Sequence, residues 1–322
     1  MRRRSLLATA LLAWSTLCGA QSFPARPITF VVPGVPGGAT DTVARALAQD
    51  MSQRMGQPVI VDNKPGGNGV VAIQAVTRAA PDGYTLLVSH STPLINTPYL
   101  YPNVPYDVRR DIAFVSEVCV GKLILAVNPN VPANNVQEFL AWAVQNKGKV
   151  SFGSYGVGSY PHLVGAQWNQ ARGLDMTHVA YKGEAPMAQD LMSGNISWAV
   201  GSVTTLAPLV KGGRLRALAV MGTNRVKQLP DVPTIAEAGM KDQALRPPAW
   251  IGLLAAKGTP PAILALLEAQ ARASVQSTAF RQRLDALALD PVGSTAAEFR
   301  QEFEATEPAM ARMIKASGAR AE

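Results

Sequence analysis

The chain has 322 residues, 48% of them hydrophobic, with 27 glycines, 24 prolines and 16% charged residues. That composition excludes a disordered or collagen-like chain, and the length is about twice the ~150-residue domain norm, so two lobes are expected. The net charge is +8, and beyond the first twenty residues lysines and arginines are set singly or in pairs such as Arg109-Arg110, with only 6% aromatics in the chain and no basic stripe, so no nucleic-acid partner is expected.

The first twenty residues read as an address. Arg2, Arg3 and Arg4 precede an apolar run from Leu6 to Leu17, and Cys18-Gly19-Ala20 offers small residues for cleavage. The run falls short of the ~20 apolar residues that span a bilayer, and no later run approaches that length. Residues 1–20 are therefore taken as a signal peptide cut near Ala20, and the protein as periplasmic. Arg3-Arg4-Ser5-Leu6-Leu7 resembles a twin-arginine signal, so that route stands beside general export. Bulky Leu17 disfavours a lipoprotein reading through Cys18. Without the leader 302 of the 322 residues remain, and the loss of three arginines takes the charge from +8 to +5. Cys119 is then the only thiol, which rules out an intrachain disulfide.

Strand and helix patterns alternate from there. Ile28 to Val32 is a short β-branched apolar run, as a buried parallel strand requires. Val43, Leu47, Met51 and Met55 then mark one helix face, with Gly56 placed to stop it. Val59 to Val61 is a second strand, Val70 to Ala79 a second helix, and Pro81-Asp82-Gly83 turns into a third strand, Tyr84 to Ser89. The pattern restarts with a strand at Leu123–Val127 and a helix from Asn135 to Asn146, opened by the Asn135/Glu138 spacing of a capping box. Strands follow at 150–153, 177–179, 196–200 and 215–220, with helices at 161–172, 185–193 and 206–210. Residues 223–246 are irregular, 250–255 apolar again, Thr259-Pro260 a helix-start pair, and Thr295/Glu298 a second capping-box spacing. The expected fold is α/β with two lobes, each a mainly parallel sheet flanked by helices. Lobe 1 is residues 21–122 plus 253–322, lobe 2 residues 123–252, and a cleft lies between them.

In open α/β sheets, ligands sit beyond the strand ends, against helix N-termini. The loop after the first strand runs Pro33-Gly34-Val35-Pro36-Gly37-Gly38-Ala39-Thr40-Asp41. Its glycines free backbone N–H groups at a helix start, which suits a carboxylate or phosphate, and Thr40 or Asp41 can cap the helix. It is neither a P-loop nor a dinucleotide fingerprint. A second such loop, Ser151 to Tyr160, holds Ser154, Tyr155, Gly156, Gly158 and Ser159 and also leads into a helix. Alone, either loop is explained by a tight turn; together, in different lobes, they make a pair of jaws for an anion. Ser91-Thr92 after His90, Lys182-Gly183 after Tyr181, and Ser202 with Thr204 hold similar positions. Gly66-Gly67-Asn68-Gly69 reads as a plain turn. His90, His162 and His178 show no metal-ligand spacing, so no metal and no cofactor are expected, although His162 stays among the pocket residues.

These segments together resemble the Bug family, the periplasmic substrate-binding proteins of tripartite tricarboxylate transporters. The resemblance lies in Pro27 to Pro33, Pro36 to Asp41, Gly56 to Gly67, Ala80 to Leu87, Tyr181 to Gly183, Arg214 to Val220, Leu229 to Gly239, Trp250 to Leu253 and Gly258 to Pro260. It implies a type II periplasmic binding protein, a Venus flytrap that closes as a monomer on a small organic acid and delivers it to membrane subunits. Carried over, the jaws are Pro36, Gly37, Gly38, Ala39, Thr40 and Asp41 against Ser154 to Ser159, with Ser91 and Thr92 shaping the pocket. Ser197-Trp198 and Gly201 to Thr205 lack the acidic or amide residue of many members, which favours an acid without an amine. Two alternatives stand beside this reading: an exported sensor presenting the acid to a signalling receptor, and a hydrolase using Ser154 or Ser159 with His162.

Overall fold

Apolar runs become buried strands, and the alternation with helices sorts them into two sheets. The computed structural model describes residues 23–181, 183–242, 245–247 and 249–320; the expected signal peptide lies outside the described residues. The first sheet comprises β1 (Ile28–Val32), β2 (Val59–Asn63), β3 (Thr85–His90), β4 (Ile112–Gly121), β10 (Trp250–Ala256) and β11 (Leu289–Pro291) in the order β11-β4-β10-β3-β1-β2. The second comprises β5 (Leu123–Val127), β6 (Ser151–Ser154), β7 (Thr177–Ala180), β8 (Trp198–Ser202) and β9 (Arg216–Val220) in the order β7-β6-β8-β5-β9.

Strands β1 to β4 share one direction, while β10 lies antiparallel between β3 and β4 and β11 antiparallel beside β4. In the second sheet β6 to β9 share a direction and β5 opposes them, antiparallel to both β8 and β9. The expected mainly parallel sheets thus hold for strand direction but not for neighbour pairing. The cause is the crossing itself: a strand arriving from the other sheet enters at the opposite end and is inserted mid-sheet. Only Lys122 separates β4 from β5, and Gly121 N–H donates to Ala249 O at 2.7 Å, tying the two crossings together.

Most helices follow the spacing that predicts them, while those at Thr92–Ile95, Thr97–Leu100, Val108–Asp111 and Thr278–Ala286 answer to no expected helix. The helices are α1 (Ala39–Met55), α2 (Val70–Thr77), α3 (Thr92–Ile95), α4 (Thr97–Leu100), α5 (Val108–Asp111), α6 (Val136–Gln145), α7 (Tyr160–Arg172), α8 (Glu184–Ser193), α9 (Val203–Lys211), α10 (Pro261–Gln276), α11 (Thr278–Ala286) and α12 (Ala296–Ser317). Val43, Leu47 and Met51 of α1 are buried, and Gly56 ends that helix at φ 66°. Thr295 and Glu298 form a complete capping box, and the Asn135 side chain accepts the Glu138 N–H. Thr259, expected to start α10, does not: its hydroxyl donates back to Ala256 O at 2.8 Å, and Pro260 holds the cap position.

One apolar cluster runs through both lobes, from Val31, Leu87 and Phe114 through Phe299 to Phe139 and Trp198. Helix α12 joins them by packing on both β4 and α7. Glu117 of β4 is buried beside this seam. Desolvation, and then the charge of Glu302, push its carboxyl up to about 7. An acid with a raised folded pKa stabilises the fold below its ordinary value and loses that contribution as pH rises through the folded value. Glu117→Gln is therefore expected to be more stable than the parent at pH 8, by on the order of 1–3 kcal/mol, with the gain shrinking towards pH 4. Urea unfolding at both pH values checks this; an equal gain at both would refute it.

Candidate ligand-binding cleft

The first jaw is held from behind. Helix α1 has Gly38 as its N-cap and no side-chain cap. Asp41, three residues in, turns back: its Oδ2 accepts the Gly37 N–H at 2.8 Å and Arg45 Nε at 3.0 Å, and its Oδ1 accepts Asn63 Nδ2 at 2.9 Å. Burial raises the Asp41 pKa, but these bonds and the Arg45 charge outweigh it and hold the carboxyl below its usual value. Asp41 is thus a latch for the loop. Thr40 does not cap the helix either, its Oγ1 lying 3.4 Å from His90 Nδ1. The first intrahelical bond, Thr42 N–H to Gly38 O at 2.9 Å, leaves the N–H groups of Ala39, Thr40 and Asp41 ahead of it.

The second jaw is built alike. Ser159 is the N-cap of α7, again without a side-chain cap, because its hydroxyl donates to Gly156 O at 2.6 Å. The helix ladder starts at Leu163 N–H to Ser159 O, so the N–H groups of Tyr160 and His162 precede it. Beneath the loop, Ser154 Oγ lies 2.7 Å from His178 Nε2, and His162 Nδ1 accepts the Gly158 N–H at 3.0 Å. The two imidazoles stack at 4.1 Å, with Phe152 on the other side of His178. The expected pairing of Ser154 or Ser159 with His162 does not form. His162 spends Nδ1 on a backbone amide, Ser154 faces His178 instead, and the Ser159 hydroxyl is committed to a carbonyl.

Burial first, and the neighbouring His162 second, pull His178 down to about 4. Such a histidine takes its proton more readily unfolded, so its stability contribution is complete above the ordinary 6.5 and is lost as pH falls towards about 4. His178→Gln, whose amide can still bond Ser154, is expected to show a smaller drop in thermal midpoint than the parent over that interval. Superimposable pH profiles of the two proteins would refute the assignment.

Both jaws open into one cleft of about 540 Å³. Of the expected site residues, Gly38, Ala39, Thr40, Asp41, Ser91, Thr92, Tyr155, Gly156, Gly158 and Ser159 line it. Pro36 and Gly37 belong to the first loop but not to the lining, while Ser154 and His162 support the second loop from behind. Gly183, Ser202 and Thr204 are also outside the lining, and Lys182 lies outside the described residues. The physical reason is that the start of α9 is already filled. The Glu184 carboxylate accepts the Ser202 N–H, the Ser202 hydroxyl at 2.9 Å and the Thr205 hydroxyl at 3.1 Å. Thr204 donates instead to Leu287 O at 2.7 Å.

Several lining residues escaped the sequence reading. Asn68 comes from the Gly66–Gly69 segment read as a plain turn; its own φ of 49° was a hint only coordinates reveal. Asn96, between α3 and α4, lines the cleft and donates through Nδ2 to Gly158 O at 3.1 Å, bridging the two sheets' loops. His90 lines it too, and burial holds its pKa down to about 4, so it is a neutral group near pH 7. Three buried side-chain atoms of lining residues have no partner among the described residues: Asn96 Oδ1, Tyr160 Oη and Trp250 Nε1.

The chain matches the family model described as the tripartite tricarboxylate transporter family receptor over residues 43–319. It is 35% identical to protein BugT of Bordetella pertussis over 277 residues, which is 86% of this chain and 84% of that one. Among solved structures it is similar to MatC from Rhodopseudomonas palustris with bound malate, at TM-score 0.71 and 29% identity over 89% of this chain and 100% of that one. It is also similar to a second protein of that organism, solved with adipate, at TM-score 0.77 and 29% identity over 92% and 98% of the two chains.

Proposed function

The chain belongs to the tripartite tricarboxylate transporter receptor family, and from that premise we propose that it captures a small organic carboxylate in the cleft and hands it to the membrane subunits of such a transporter. The observation that carries this reading is that α1 and α7, rooted in different sheets, both begin uncapped at the same cavity. Each helix start concentrates unsatisfied N–H groups and partial positive charge, which together favour an anion between them. The protein acts as a periplasmic monomer after removal of residues 1–20. Its lobes are 21–122 with 253–322, and 123–252, the return to the first sheet falling in β10. Binding residues are the lining members of the two loops with Ser91 and Thr92. No turnover is expected, since the Ser159 hydroxyl is committed to Gly156 O and Ser154, also within reach of that carbonyl, is fully buried and outside the cleft lining.

Thermal unfolding against a panel of mono- and dicarboxylates tests the reading. An acid at one hundred times its dissociation constant adds about 2.7 kcal/mol, and at roughly 2–4 °C per kcal/mol the midpoint rises by about 5–10 °C. A panel in which neutral sugars or cations shift the midpoint and no acid does would overturn it.

A further inference from the structure

The turn ahead of α2 carries a single side chain, and the backbone is strained to keep it. Gly66, Gly67 and Gly69 have φ of 128°, 53° and 93°, and Asn68 between them sits at φ 49°, ψ 39°. Glycine takes that left-handed conformation freely, whereas a residue with a Cβ is strained there, asparagine less than most. The conformation is also fixed from outside. The Thr97 hydroxyl donates to Asn68 O at 3.0 Å, and the Gly69 N–H donates to Gly66 O at 2.9 Å. A Cβ on Gly69 would lie 2.4 Å from Pro93 Cγ and 3.3 Å from Pro33 Cβ. The turn is thus wedged between the start of the first jaw and the segment that follows Ser91 and Thr92.

Backbone geometry alone asks for a fourth glycine here, and the chain supplies a carboxamide. Asn68 is exposed at the cleft lining, and among the described residues its side chain makes no hydrogen bond. Its neighbours differ in this respect. Asn63 Nδ2 is taken by Gly34 O and Asp41 Oδ1, and Asn96 Nδ2 by Gly158 O. Strain that the surroundings hold in place at the wall of a cavity points to a use for the side chain.

We propose that Asn68 is a specificity-determining residue, donating through Nδ2 to an oxygen of the bound acid remote from its head carboxylate. This rests on the carboxylate reading of the same cleft and adds to it the residue that meets the far end of the guest. The head group goes to the starts of α1 and α7, and Asn68 reaches the cleft from neither. An acid with a bare hydrocarbon tail that covers this amide strips its water and returns no bond. It therefore binds more weakly than an acid with an oxygen in reach.

Isothermal titration of the full-length mature protein, freed of co-purified ligand by unfolding and refolding, tests the proposal. Pentanoate, whose tail is hydrocarbon, is set against levulinate, glutarate and 3-hydroxybutanoate, which carry a remote keto, carboxylate and hydroxyl oxygen. The parent is expected to bind at least one of these three roughly tenfold or more tightly than pentanoate. Asn68→Gly, which suits the left-handed turn, is expected to erase most of that preference while its thermal midpoint stays level with the parent's or rises. Asn68→Asp keeps the shape but offers only acceptors at neutral pH. It should cost the keto and carboxylate guests most and the hydroxyl guest least, because a hydroxyl can donate to it. Equal affinity of the parent for pentanoate and the best of the three overturns the proposal and leaves the carboxylate reading standing. So does an undiminished preference in Asn68→Gly, or a gain for glutarate in Asn68→Asp. If none of the four acids binds, both fall.

Discussion

Gly158→Val is expected to weaken carboxylate binding by roughly 100-fold, equivalent to about 2.7 kcal/mol. Gly158 sits at φ +76°, a conformation that a β-branched residue adopts only with strain, and a Cβ there would lie 2.5 Å from both methyls of Leu100. Leu100 is 2% exposed and cannot swing away. It belongs to the first sheet's side of the cleft and Gly158 to the second's, so relief of the clash comes from separating the jaws. That movement also removes the bond from Asn96 Nδ2 to Gly158 O and the support of the Gly158 N–H by His162. Titration with the acid identified by the thermal panel measures the effect. The pair Gly158→Val and Leu100→Ala should recover part of the loss, because the smaller side chain leaves room. Parent-like affinity in Gly158→Val alone would show that the two loops do not share one guest.

The largest loss of stability is expected at Gly165, on the face of α7 that meets β6. A Cβ there would lie 2.6 Å from Phe152 Cδ2, with two further ring carbons closer still. Phe152 is fixed between His178, at 5.0 Å, and Trp198, at 5.1 Å, and Trp198 is itself fully buried. The ring has nowhere to go, so Gly165→Val must push α7 off the sheet. Overpacking of this kind costs about 3 kcal/mol at the upper end of the usual range. The thermal midpoint should then fall by roughly 6–12 °C at 2–4 °C per kcal/mol. Adding Phe152→Leu should restore several degrees. A midpoint equal to the parent's would mean that α7 and β6 are not packed as described. Since α7 also carries the second jaw, the folded fraction of this variant should bind acid more weakly.

Much of the local structure was legible in the residues, and the reason is range. The face of α1 follows from Val43, Leu47 and Met51, and its end from Gly56, because helix periodicity and a left-handed cap depend on neighbours within a few positions. The same holds for the Thr295/Glu298 capping box and for both glycine loops at helix starts. Thr259 failed where two local options competed, its hydroxyl finding the carbonyl of Ala256 before the N–H groups of α10.

Which loops share a cavity was another matter. By sequence alone Ser202 and Thr204, weaker candidates than the glycine loops, still stand beside Ser159 in the site, since each lies after a strand and before a helix. Only the approach of Glu184, eighteen residues before Ser202, shows that the start of α9 already holds a carboxylate of the protein's own. Asp41 likewise looked like a ligand-facing cap until Arg45 and Asn63 were seen to turn it inward. The residues by themselves determined two α/β lobes and two anion-ready helix starts, because hydrophobic period, turn chemistry and capping act over short stretches of chain. The tertiary structure alone decided which starts stay open and which side chains enclose the space between them, because that depends on contacts between segments dozens to hundreds of residues apart.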